Sequence, residues 1–257
     1  MKQILMVGAG SVGGFFGAHL AKANLSVSFL LRPKTLAAVK QNGLTIRSAN
    51  GSFTVHPPAA SDPRDLPKPD LIILSVKAYD LDEVLTQNRA GPDRSDRHLD
   101  PAEWSRYRRS HPGAFQRDCV VGGIAYIYTK IAAPGVIDHY KKGAVAIGEL
   151  MGHQSPRLLA IADLFKQAGI LCQLADDIRR SKWEKMCWNC VFNPLTVMID
   201  DKVAKALDHP EMLRVIHQIV GEVVAVAATV KVPLAADMAE KVVRWTQRDT
   251  GYPYLDV

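Results

Sequence analysis

Three features of the 257-residue sequence predict an α/β protein: a doubly wound parallel sheet at the front and an all-helical domain at the back. First, an apolar run at residues 3–7 leads into Gly8-Ala9-Gly10-Ser11-Val12-Gly13 and then into Val12, Phe15, Phe16 and Leu20 at near-helical spacing, which reads as strand, tight turn and helix. Second, Asp70-Leu71-Ile72-Ile73-Leu74-Ser75-Val76 is a continuous apolar stretch of the kind a parallel strand shows when both its faces are buried. Third, the sequence from Ile178 onward is helical in pattern with few turn signals until Thr250-Gly251-Tyr252-Pro253. The expected boundary lies between 175 and 180, giving a domain at 1–177 and a helical one at 178–257.

The elements follow in order. Val27 to Leu31 is a second strand, and Pro33 opens a helix that stops near Asn42-Gly43. Leu44 to Arg47 and Ser52 to His56, joined through Asn50-Gly51, form a small hairpin. Alternation of strands with helices then implies right-handed crossovers in a Rossmann-type sheet. Between 88 and 117 the pattern stops. That stretch contains no Ile, Val, Met or Lys, and no buried strand is expected in it. Strands resume at Cys119 to Ile127, Gly143 to Gly148 and Gly169 to Cys172. Helices are expected around Lys185, from Glu211 to Val230 and from Ala235 to Arg248, with a break or kink at Pro194.

Composition narrows the function. A hydrophobic content of 47% suits a soluble globular protein, and cytoplasmic residence is expected. The opening apolar run ends at Gly8, too short for a signal core, and Ile219 to Val230, interrupted by Glu222, reads as a buried helix, so no membrane partner is expected. The four cysteines lack a disulfide framework; Cys187-Trp188-Asn189-Cys190 is formally C-x-x-C but has no second ligand pair, so no metal is expected. The net charge of +6 does not point to nucleic acid. Residues 89–117 hold seven arginines against Asp93, Asp96, Asp100 and Glu103, which places half of the excess in one atypical segment.

The glycine turn carries the first chemistry. Gly8, Gly10 and Gly13 have dinucleotide-binding spacing: the first permits the turn, the second lets backbone approach a pyrophosphate, and the third lets helix pack on strand. The backbone from Gly8 through Ala9, Gly10, Ser11 and Val12 to Gly13 therefore forms the expected cofactor cradle, with free N–H groups at the helix start. At the end of the second strand, where NAD enzymes carry an acid for the ribose, stands Arg32. Its charge and planar fork suit a 2′-phosphate, so NADP (as NADPH) is the expected cofactor; a solvated strand-end arginine is the alternative.

The second chemistry lies on the helix around Lys185. Lys185, Asn189 and Asn193 follow at i, i+4 and i+8 and share one polar stripe among apolar neighbours, as expected of a helix lining a cleft. The run from Lys185 through Met186, Cys187, Trp188, Asn189, Cys190, Val191, Phe192, Asn193, Pro194 and Leu195 to Thr196 closely resembles the signature helix of ketopantoate reductases. Gly8 to Gly17 and Ser75-Val76-Lys77-Ala78 resemble the cofactor half of the same family, and the resemblance covers 1–87 and 118–248. It implies NADPH-dependent reduction of 2-dehydropantoate to pantoate, on the route to pantothenate and coenzyme A. It also implies that Lys185 is the general acid, that Asn189 and Asn193 hold a small 2-oxo acid substrate, and that Lys77 serves the cofactor. A homodimer belongs to the same expectation.

The sequence departs from that family at two places. Where relatives carry a buried strand and a Leu-Gln-Asn-Gly turn, residues 88–117 are rich in Arg, Asp, Ser, Pro and His at comparable length, as a stretch read out of frame would be. The family's later serine turn and glutamate have no counterpart before Val257, which reads as a truncation or a second change of frame. Loss of a central strand would expose Ile72, Leu74 and Val121, giving reduced stability and activity. The competing expectations are an NADP-binding member with impaired catalysis and a reductase of another branched 2-oxo acid.

Overall fold

The computed structural model describes residues 2–80, 97–100, 120–150, 152, 154–199, 207 and 209–247. The chain divides into two compact units, Met1–Ile178 and Arg179–Val257.

The first unit is built on β1 (Gln3–Val7), α1 (Ser11–Lys22), β2 (Ser26–Leu30), α2 (Pro33–Asn42), β3 (Leu44–Ser48), β4 (Phe53–Val55), β5 (Ala59–Ala60), β6 (Leu71–Leu74), β7 (Arg97–Asp100), β8 (Val120–Ala133), β9 (Val136–Glu149), α3 (Pro156–Gln167) and β10 (Cys172–Leu174). The strands form one sheet in the order β4-β3-β9-β8-β7-β6-β1-β2-β5, with β10 paired to β9. From β8 to β5 every pairing is parallel, and β3/β4 and β8/β9 are antiparallel. Alternation along β1 explains the two-sided core. Ile4 and Met6 pack with Phe15, Phe16 and Leu20 of α1, whereas Leu5 and Val7 join Leu30, Ile72 and Leu74 in a separate cluster.

Two expectations for this unit are corrected. A strand does occur within 88–117: β7 pairs in parallel with β6 and with β8, taking Leu99 opposite Ile73 and Val121. The reason is that a strand slot is filled by backbone donors and acceptors, and two flanking parallel strands each present an unpaired edge that any extended segment can satisfy. Ile72, Leu74 and Val121, expected to be exposed, are accordingly buried. The strand beginning near residue 119 is also far longer than its apolar run suggests. β8 and β9 form one hairpin turning at Pro134-Gly135, with the Tyr128 and Tyr140 rings in tilted contact across its exposed outer part, centroids 5.3 Å apart.

The second unit holds α5 (Pro210–Thr229) and α6 (Met238–Gln247) with most of α4 (Ile178–Ile199). Cys187, Val191, Phe192 and Leu195 of α4 pack against Ile216 and Val220 of α5 and Met238 and Val242 of α6. The indole of Trp188 donates to Thr246 Oγ1 at 3.2 Å, and that hydroxyl donates to the Val242 carbonyl, tying α4 to α6. The helix does not break at Pro194. A proline inside a helix costs about 3 kcal/mol, but Phe192 and Leu195 are buried on either side of it and hold both turns in the core.

The expectation of a buried helix near 219–230 is likewise corrected. In α5 only Ile216, Val220 and Ala227 are fully buried, and Val215 and Val226, with Val230 just past its end, stand exposed. Among the described residues α5 is the one helix long and apolar enough to cross a membrane, by length and composition only. Its apolar residues are too numerous for a single contact stripe, so many remain outside the packed face.

Candidate active site

Gly8 directly follows β1 and has φ of 92°, a left-handed conformation that side chains oppose. A Cβ there would also lie 2.8 Å from the Ser75 carbonyl oxygen. Its N–H donates to Leu30 O at 3.1 Å, while Ser75 N–H donates to Val7 O at 3.0 Å, so the ends of β2, β1 and β6 are knitted side by side. Gly13 is required by contact: a Cβ would stand 2.5 Å from Gly8 O and 2.7 Å from Ser75 Cβ. Ser75, which the sequence suggests only as a motif neighbour, is thus the floor against which the turn closes.

Gly10 is different. It caps α1 in extended conformation, has no side-chain hydrogen bond to the helix start, and a Cβ on it would meet nothing within 4 Å. The first turn, beginning at Ser11 and Val12, carries no acidic residue. Unsatisfied N–H groups, the positive end of the helix dipole and open space at Gly10 together form a cradle for an anionic group. The Ala9-Gly10-Ser11 backbone therefore fits a dinucleotide pyrophosphate.

Lys77 and Arg32 lie on the same edge of the sheet, where open α/β sheets take their ligands. Lys77 is exposed just beyond the C-terminal end of β6, and its carbonyl accepts the Asp80 N–H at 2.9 Å. Arg32 is the residue before α2 and is solvent-exposed. It is not simply solvated: its Nη2 lies 2.5 Å from Asp80 Oδ1. Asp80 was not legible as a site residue, because its only signal is a position a few residues past a parallel strand.

On α4, Lys185, Asn189 and Asn193 occupy successive turns of one uninterrupted helix, so they share a face as their spacing requires. Lys185 and Asn189 are half-buried and Asn193 is exposed. Burial lowers the Lys185 ammonium from the ordinary 10.5 to about 8. Such a group is mostly protonated at neutral pH yet releases its proton far more readily than a surface lysine, which suits acid–base work. The neighbouring thiols go the other way. Burial, with a smaller contribution from Cys190 and Glu184, pushes Cys187 up to about 12, and burial raises Cys190. Neither is an activated nucleophile. Among the described residues no group of three His, Cys, Asp or Glu side chains is placed to hold a metal ion. The cofactor-side residues belong to the first unit, and Lys185, Asn189 and Asn193 to the second.

The ketopantoate reductase PanE/ApbA family model matches residues 4–96, and the model of its C-terminal part matches 177–254, past the point at which the motifs themselves stop resembling that family. A 2-dehydropantoate 2-reductase of Mesorhizobium japonicum is 28% identical, over 91% of this chain and 79% of its own. The crystal structure of 2-dehydropantoate 2-reductase from Methylococcus capsulatus is 30% identical with a TM-score of 0.80, covering 96% of this chain and 80% of that one. A ternary structure of D-mandelate dehydrogenase with NADH and anilino(oxo)acetate shares the fold at 20% identity, with a TM-score of 0.84 over 99% of this chain and 83% of the other. With both halves of the family matched and the glycine turn and Lys185 helix in place, the chain belongs to the ketopantoate reductase family of oxidoreductases.

Proposed function

We propose that this chain is a cytoplasmic, NADPH-dependent reductase of 2-dehydropantoate, forming pantoate, with Lys185 as its general acid. The observation that carries the proposal is the half-buried Lys185, shifted to about 8 on the helix that resembles the family signature. When bound, NADPH supplies the hydride that a 2-oxo carbon accepts. The Gly8–Gly13 backbone binds the pyrophosphate at the start of α1, and Arg32 beyond β2, with Lys77 beyond β6 on the other side of β1, supplies positive charge for phosphate. Lys185 Nζ donates a hydrogen bond to the ketone oxygen and delivers its proton as negative charge grows there. The amides of Asn189 and Asn193, able to donate and accept, orient the substrate hydroxyl and carboxylate along the same face of α4.

The test is NADPH oxidation by the purified chain with 2-dehydropantoate and a panel of other branched 2-oxo acids, compared with Lys185→Ala. Turnover that is greatest with 2-dehydropantoate and lost in the variant is expected; equal rates in both proteins refute the assignment of the acid. A second reading is favoured by one observation, the lack in residues 89–117 of any asparagine like that of the family's Leu-Gln-Asn-Gly turn. It is a member that binds NADPH but turns over poorly, and it would show as saturable nucleotide binding without oxidation dependent on a 2-oxo acid.

A further inference from the structure

The Arg32–Asp80 pair joins segments that follow the two strands flanking β1. In the sheet β1 lies between β6 and β2, with Arg32 two residues beyond β2 and Asp80 six beyond β6. The pair therefore sits on the edge of the sheet that carries the Gly8–Gly13 turn. Its two members are unequal: the Arg32 side chain is 69% exposed, whereas that of Asp80 is 17% exposed and its backbone N–H is fixed to Lys77 O. The carboxylate is the anchored partner and the guanidinium the one free to move.

We propose that Asp80 is a specificity-determining residue that weakens the preference of this site for NADPH over NADH. The proposal rests on the cofactor reading above. A 2′-phosphate must draw Arg32 away from a carboxylate at 2.5 Å and then tolerate that carboxylate as a near neighbour. A ribose 2′-hydroxyl meets no such competition, because it can donate to Asp80 while Arg32 stays paired. Arg32 alone predicts strong selection for the phosphorylated nucleotide; Arg32 held by Asp80 predicts a site open to both.

The test titrates the full chain with NADPH and with NADH, following nucleotide fluorescence, for the unmodified protein, Asp80→Asn and Asp80→Ala. An unopposed guanidinium–phosphate contact is worth roughly tenfold or more in affinity, so the unmodified protein is expected to prefer NADPH by less than that. Releasing an exposed arginine from its partner is expected to tighten NADPH by roughly fivefold, with NADH unchanged or weakened. A preference near a hundredfold in the unmodified protein overturns the proposal without any variant. So does a wild-type NADPH-to-NADH ratio in either variant that melts like the parent. If the unmodified protein binds neither nucleotide, the cofactor reading falls and this proposal falls with it; binding of both with an unmoved ratio overturns this proposal alone.

Discussion

Replacing Lys185 by methionine should make the protein more stable and, at the same time, catalytically incompetent. Burial moves the ammonium from 10.5 to about 8, a difference that corresponds to about 3 kcal/mol at ~1.4 kcal/mol per pH unit. The sign follows from proton binding. Below pH 8 both folded and unfolded chains carry the charge, and the folded one bears its full desolvation cost. Between pH 8 and 10.5 the folded chain has released the proton while the unfolded chain still holds it, so stability rises with pH. Methionine keeps the unbranched stem and removes the charge, and the expected gain at pH 7 is about 1–3 kcal/mol, the upper figure being the whole desolvation cost. Urea denaturation of both proteins at pH 7 and pH 10.5 measures it: the difference should be large at the lower pH and shrink at the higher. Turnover in the same samples should fall about 10²- to 10⁴-fold, and the rate of the unmodified enzyme should decline as pH climbs through 8. A variant less stable than its parent at pH 7 refutes the burial reasoning, and a variant with undiminished turnover refutes the acid.

The glycine turn should separate binding from folding. Gly13→Ala, whose Cβ would stand 2.5 Å from Gly8 O, is expected to lose about 1–3 kcal/mol in chemical denaturation, whereas Gly10→Ala should stay within about 0.5 kcal/mol yet weaken NADPH binding. Equal stability losses at the two positions contradict the assignment of Gly10 as the cofactor-facing glycine. Acid should act through His19, which lies between Phe15 and Phe53 and is lowered to about 4, chiefly by burial and then by Lys22 and His139. Because the unfolded imidazole protonates first, the stability it contributes is present above pH 6.5 and lost as pH falls to 4. His19→Phe should flatten that part of the stability profile, and an unchanged slope excludes His19 as the sensor.

How far these sites could be read from sequence depended on whether a side-chain pattern or a backbone relation defined them. The glycine turn was legible because its first and last glycines answer steric needs that the structure shows, with Gly13 pressed on Ser75 and Gly8 at positive φ, while Gly10 between them keeps open space. The Lys185 stripe was legible because helical spacing fixes a shared face. The outer half of the β8/β9 hairpin was not. Tyr128, Lys130 and Tyr140 are mixed polar and aromatic residues on an exposed ribbon, and the single usable signal was the Pro134-Gly135 turn. Asp80 was hidden for another reason: it meets Arg32 across 48 positions of chain, through a sheet order that no local pattern encodes.

Strand β7 is the sharpest case, because its composition argues against the place it occupies. Arg97-His98-Leu99-Asp100 offers one apolar residue between Leu71-Ile72-Ile73-Leu74 on one side and Val120-Val121 on the other. A parallel strand in the middle of a sheet ordinarily gains from burying side chains on both faces, and its hydrogen bonds add modestly beyond what water would provide. The sequence of β7 supplies one apolar residue, Leu99, so apolar β-formers are expected to improve it. His98→Val with Asp100→Val is expected to stabilise the chain by about 1–2 kcal/mol in urea denaturation, from recovered burial and strand propensity. The same double change in a solvated segment would leave stability unaltered, and that outcome would remove 97–100 from the sheet. Sequencing of the gene addresses the origin of the strand separately. If 88–117 was read out of frame, a shifted reading of the same DNA should encode an apolar strand at this place followed by a Leu-Gln-Asn-Gly-like turn, and an unbroken frame shared by close relatives would refute that origin.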